Sequence, residues 1–228
     1  MTTCAPRFLL HPSTQEPGEG IWFGTPTGFT ELPLEAFLDS PDSFGAEGLH
    51  DPLTSCLASA PDEATRVRFA GRFVAAQRIL RTLYAQGTVH CSIGMHRDDT
   101  GEGSGGALLS LFTVAWVPTA WAPRRITVAR SVTQSEGHSR IEYTELPCGP
   151  VAFSEKVATP AADSRLPQRR LLQIHAYVAH PDGTSLALLT LSTTAVNHRG
   201  HYRAILRRIA ELVSFDDPGV PTHSASAQ

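Results

Sequence analysis

The sequence has almost no lysine. Of its 19 basic residues only Lys156 is lysine; all the others are arginine. With abundant Ala, Gly and Pro, this reads as coding from a GC-rich genome, a bias without functional content. A basic excess is missing too. The formal net charge is −3, which argues against a general nucleic-acid binder, because such proteins gain affinity by neutralising phosphates. No run of about 18 apolar residues occurs, so no transmembrane helix and no membrane insertion are expected. No basic stretch followed by an apolar one stands at residues 1–10, so no signal peptide is read there. Both absences point to a cytoplasmic protein. The cysteines (Cys4, Cys56, Cys91 and Cys148) are few and widely spaced, with no C-x-x-C pair. A zinc site needs clustered ligands, so free thiols are expected, some buried as small hydrophobes.

What is present suits a folded chain. Hydrophobic residues make up 41% of the 228 and charged residues 18%, enough for one large domain with a real core. Residues 1–20, rich in Pro, Gly, Ser and Thr, are read as a loose N-terminal segment. Residues 21–215 are read as a single α+β domain, and residues 216–228 as a flexible tail.

Two stretches carry helical periodicity. In residues 62–86, Val67, Ala70, Phe73, Val74, Leu80, Leu83 and Tyr84 form an apolar stripe, with Pro61 at the start and Gly87 as the stop. In residues 200–215, Tyr202, Ile205, Leu206, Ile209, Leu212 and Val213 repeat at three- and four-residue spacing. Strands lie before the first helix and between the two. Two short ones flank the turn at Pro26-Thr-Gly28. A hairpin of residues 88–96 and 107–117 is joined by an acidic, glycine-rich link. Two strands surround Pro147-Cys-Gly-Pro150. A hairpin of residues 170–179 and 185–194 turns at Pro181-Asp-Gly183. Residues 118–137 stay open between a helix around 125–134 and a strand favoured by Ile126, Thr127 and Val128. Short turns between consecutive strands mean antiparallel pairing. The expected fold is therefore α+β, an antiparallel sheet flanked by a long helix in the N-terminal half and a C-terminal amphipathic helix.

No motif carries chemistry. Gly101-Glu-Gly103-Ser-Gly-Gly106 spells G-x-G-x-x-G, but a strand follows it instead of a helix, and Asp98, Asp99 and Glu102 would repel phosphate. His96-Arg-Asp98 lacks the partners of a kinase catalytic loop, and no G-x-S-x-G elbow occurs. His90 and His96 would lie about 20 Å apart on one strand. His198 and His201 stand at a helix start without an obvious third ligand. Cys148 sits on a turn where nothing lowers its pKa; that turn is equally read as a close-packing point that demands small residues. No catalytic, cofactor or metal residue is assigned, and no cofactor is expected. Arg68 and Arg72 on the first helix, and Trp121 between Pro118 and Pro123, are the candidate partner-binding residues.

Three stretches carry a resemblance: Pro26-Thr-Gly-Phe-Thr-Glu-Leu-Pro-Leu34, Glu145-Leu-Pro-Cys-Gly-Pro-Val151, and Leu189-Thr-Leu-Ser-Thr193 followed by the last helix and Ser214-Phe-Asp-Asp-Pro218. The arrangement resembles a group of uncharacterised actinobacterial proteins and is similar to PsbP-like domains. The resemblance implies a scaffold or adaptor role near type VII secretion genes, and it supplies no catalytic residue. The leading expectation is a non-enzymatic protein-interaction module, adaptor or chaperone-like, with an unknown protein partner. The alternatives are a small-molecule binder with an apolar pocket between sheet and long helix, near Trp22, Phe73 and Tyr84, and an unrecognised enzyme using Cys148 or a histidine.

Overall fold

The computed structural model of the chain describes residues 8–10, 20–32, 63, 67, 81–97, 107–159 and 168–216. Nine strands and two α-helices lie wholly within them. The strands are β1 (Phe8–Leu10), β2 (Gly24–Pro26), β3 (Phe29–Glu31), β4 (Thr88–Arg97), β5 (Ala107–Pro118), β6 (Ser139–Leu146), β7 (Gly149–Ala158), β8 (Leu171–Ala179) and β9 (Ser185–Thr193); the helices are α1 (Arg124–Thr133) and α2 (Arg199–Glu211). Seven strands form one antiparallel sheet in the order β3-β4-β5-β9-β8-β7-β6. After β5 the chain crosses through α1 to the far edge and returns by the meander β6-β7-β8-β9, so β9 closes against β5. Among the described residues, no helix is long and apolar enough to cross a membrane.

The expected strands are present, with one difference near the start. β2 and β3 flank the turn at Gly28 but belong to different sheets, β2 pairing with β1 and β3 with β4. Residues 8–10, within the segment read as loose, are the β1 that pairs with β2. The hairpin β8–β9 turns as expected, with Gly183 at φ 76°. Residues 63, 67 and 81–85 are helical; the rest of the span 62–86, including Arg68, Arg72 and Phe73, lies outside the described residues.

The helix that the sequence left undecided is α1. Its β-branched residues favour a strand by propensity, but β5 is already paired on both edges, with β4 and β9. A strand there could not pair with β5 as the next turn of a meander, and tertiary packing overrides propensity. As a helix, the segment sets Val128 and Val132, four residues apart, against Ala152, Tyr177, Ala179 and Leu186 of the sheet. Pro123, at φ −52°, stands at its N-cap.

Each helix takes one face of the sheet. In β8, Leu172, Ile174, Ala176 and Val178 join the core beneath α2, whose Tyr202, Leu206, Ile209 and Ala210 are buried. The alternate residues Tyr177 and Ala179 join the core beneath α1, as the period of two requires. α2 is also held by charge. Arg203 donates to Glu155 (2.6 Å) and Glu142 (2.9 Å), and Arg207 donates to Glu142. Glu155 is only 1% exposed, and a carboxylate at that depth requires a partnered cation.

α1 is fixed at its start by Arg124. Its guanidinium donates twice to the Ala179 carbonyl (3.0 and 2.7 Å) and once to that of Cys148. Gly149, at φ 112°, clears the space: a Cβ there would lie 2.5 Å from the Arg124 guanidinium. This is the close-packing point read from the Pro-Cys-Gly turn. The Gly149→Ala variant is expected to lose about 2–4 kcal/mol, part from backbone strain and part from displaced hydrogen bonds. In an Arg124→Met background the same change should cost only the backbone part, about 1–2 kcal/mol. Urea denaturation of the four proteins checks this; additive costs would show that the guanidinium does not fill that space.

Candidate functional site

The sheet face under α1 carries a gradient set by strand register. Directly opposed residues of antiparallel neighbours point to the same side, so the pairings define rows across the strands. One row is Val117–Leu186–Ala179 and the next is Ala115–Leu188–Tyr177–Ala152, both apolar apart from the Tyr177 hydroxyl. The third row is Thr113–Thr190–His175–Ser154, polar across four strands, and the fourth ends Ser192–Gln173–Lys156. α1 packs chiefly over β7 and β8, and among the described residues part of β5 and β9 beside it is uncovered.

A cavity of about 500 Å³ fills that uncovered space. Val117, Leu186, Leu188 and Tyr177 form its floor, Arg130 and Ser131 of α1 with Gln134 and Ser135 of the turn after it line one wall, and His138 and His175 stand at the polar end. That volume lies in the ordinary range of small-molecule pockets, which combine an apolar lining with a few placed polar groups. Among the described lining residues there is no Asp or Glu.

The polar end is built from two imidazoles in contact, with ring centroids 4.8 Å apart. His138 Nδ1 bonds Ser154 Oγ at 2.7 Å, and His175 Nδ1 bonds Thr190 Oγ1 at 3.0 Å. The Tyr177 and Ser135 hydroxyls bond each other at 3.2 Å. Burial, with smaller contributions from His138 and Lys156, pushes His175 down to about 3. Burial and then Lys156 also lower His138. Both rings are neutral at pH 7. Two polar atoms of the lining, His175 Nε2 and Thr119 Oγ1, are buried with no hydrogen-bond partner among the described residues. Ser154 is fully buried. Its hydroxyl therefore holds the His138 ring and has no path to an incoming carbonyl.

The residues singled out in the sequence fall elsewhere. Cys148 is buried; burial pushes its thiol up, outweighing the nearby Arg124, and its Sγ–H points to the Ala210 carbonyl at 3.7 Å. The arrangement of a reactive thiolate is absent from its surroundings. Cys91 is likewise buried and pushed up to about 12. Trp121 is 72% exposed, on a loop pinned by Thr119 N–H to Thr184 O (2.8 Å) and Ala122 N–H to Gly183 O (3.3 Å). Arg68 and Arg72 lie outside the described residues. The pocket expected near Trp22, Phe73 and Tyr84 is not where the described cavity lies: Trp22 bridges to Ser214, and Tyr84 is exposed. The cavity lies under α1 instead. No three His, Cys, Asp or Glu side chains gather as metal ligands among the described residues.

The sequence reading missed His138 and His175. The turn at Gly183 fixes the β8–β9 register, and that register already sets His175 opposite Thr190. The β7–β8 register, which brings Ser154 alongside, and the position of His138 had no local signal. No family model matches the chain, and no curated protein matches it significantly. The functional reading therefore rests on geometry.

Below pH 6.5 an unfolded chain protonates the His175 imidazole while the folded protein holds it neutral down to about pH 3. The group therefore opposes folding increasingly as pH falls through that window. The His175 ring proton resonances are expected to stay constant between pH 8 and 5 in NMR spectra, and His175→Gln should make the protein less acid-labile. A titration midpoint near 6.5 would show the ring to be in water.

Proposed function

We propose that the protein is a binding module without chemistry of its own, and that the cavity under α1 holds a small molecule. The observation that carries this reading is the pair of unpartnered polar atoms, His175 Nε2 and Thr119 Oγ1, on residues lining a cavity with an apolar floor. Buried polar atoms are almost always satisfied, by protein, ordered water or ligand. Two such atoms in one cavity suit a partner that arrives from outside. The buried Ser154 and the thiols held protonated at Cys91 and Cys148 support a role in binding over one in catalysis.

A second reading has its own observation. Trp121 presents an indole at the surface on a loop held at two points, and exposed tryptophan is enriched where proteins meet. In that reading the protein is an interaction module, adaptor or chaperone-like, and Trp121 anchors its partner.

The test is purification from the native host followed by denaturation and mass spectrometry of what is released. A stoichiometric small molecule is expected from the wild-type protein. It should be absent from a Ser131→Trp variant of unchanged circular dichroism, and the ligand-loaded protein should melt higher than the stripped one. Release of no molecule, together with a stoichiometric protein partner lost on Trp121→Ala, would replace the pocket reading with the interaction reading.

A further inference from the structure

Granting the pocket reading, we propose that the ligand is an amphiphile: an apolar body seated on the Val117–Leu186–Leu188–Tyr177 floor and an anionic head group, of the carboxylate class, at the end marked by His138 and Arg130.

The division of the ligand follows from the rows. Apolar side chains give way to hydroxyls and imidazoles one row further along the strands, and Lys156 lies one row beyond those. A ligand that is apolar throughout would leave His175 Nε2 unpartnered, and a ligand polar throughout would leave the Leu186 and Leu188 surface against polar groups. A molecule divided the same way satisfies the apolar floor and His175 Nε2; Thr119 Oγ1, two residues beyond Val117, takes a hydrogen bond from water or from a second polar group of the ligand.

The sign of the head group comes from charge. Among the described residues, Arg130 is the one formally charged residue lining the cavity, and it has no ion-pair partner among them. Lys156 lies beside His138, its Cε 3.5 Å from where a Cβ on Gly137 would be. Its charge reaches the polar end, where it helps to keep both imidazoles neutral. Glu136, the nearest carboxylate along the chain, is exposed and does not line the cavity. The C-terminal carbonyls of α1 would oppose an anion, because that end of a helix carries partial negative charge. They are already engaged: Arg130 O accepts from Gln134 N–H (3.0 Å), Val132 O from Ser135 N–H (3.2 Å), Ser131 O from the Ser135 hydroxyl (2.9 Å) and Ala129 O from the Thr133 hydroxyl (3.0 Å). What remains is two cations, two neutral imidazoles and an unpartnered ring nitrogen, which together favour an oxyanion that accepts hydrogen bonds.

Isothermal titration with three probes of one chain length tests this: decanoate, 1-decanol and decylammonium, each below its aggregation concentration. Decanoate is expected to bind at least about tenfold more tightly than 1-decanol, the factor expected of one charge-assisted hydrogen bond over a neutral one. Decylammonium should bind weakest. An Arg130→Gln/Lys156→Gln double variant, altered only at exposed or half-buried positions, should close the gap between decanoate and decanol. Equal affinity for all three, or a preference for decylammonium, overturns the anionic head group while leaving the pocket standing. Binding of none of them, or binding undiminished in Ser131→Trp, overturns the pocket reading with it.

Discussion

In β8, every second side chain meets α2 and the others meet α1 or the cavity beside it. That alternation divides the labour of the molecule. The α2 face is filled with Leu172, Ile174, Ala176 and Val178 and completed by Leu189, Leu191, Phe112 and Phe153, and it supplies most of the buried apolar surface. The opposite face needs less from packing and can carry Thr190, His175 and Ser154. A one-residue slip of β8 would put His175 into the main core and Ile174 into the cavity. The make-up of the pocket depends on that register, and the tight turn at Gly183 sets it.

The polar row is a costly thing to bury, and its construction shows how the cost is limited. Charged groups are kept out of it. His175 and His138 are uncharged, each has one nitrogen bonded to a hydroxyl, and Lys156 stands outside the row. A neutral, hydrogen-bonded network avoids the desolvation of ions. Arg203 and Glu155 show the other solution on the α2 face, where a buried carboxylate is retained because a guanidinium meets it at 2.6 Å. The two faces thus handle buried polarity in different ways. On the α1 side, His175 Nε2 and Thr119 Oγ1 stand at the cavity with no hydrogen-bond partner among the described residues.

The strands and α2 were legible because their signals are local: alternation, turn residues, and the stripe from Tyr202 to Val213. α1 was not, because its identity is decided by β5 having no free edge, a fact about β9 nearly seventy residues later (118 to 185). The Pro-Cys-Gly turn could be read as a packing point, but Arg124, the residue that makes it one, gave no sign of its role. The site was less legible still. It is assembled from β5, β8, β9 and α1, and His138 belongs to none of them. A search for recognised motifs looks for residues close in sequence, and a binding row drawn across strands has no such spacing.

α2 follows every strand in chain order, and it covers the face that carries most of the core. A chain cut before residue 199 would keep every strand but lose Tyr202, Leu206 and Ile209, which share the core with Leu172, Ile174 and Leu189. It would lose the Trp22–Ser214 bridge as well, which ties the segment before β2 to a residue three places beyond that helix. The strands alone therefore do not complete the core.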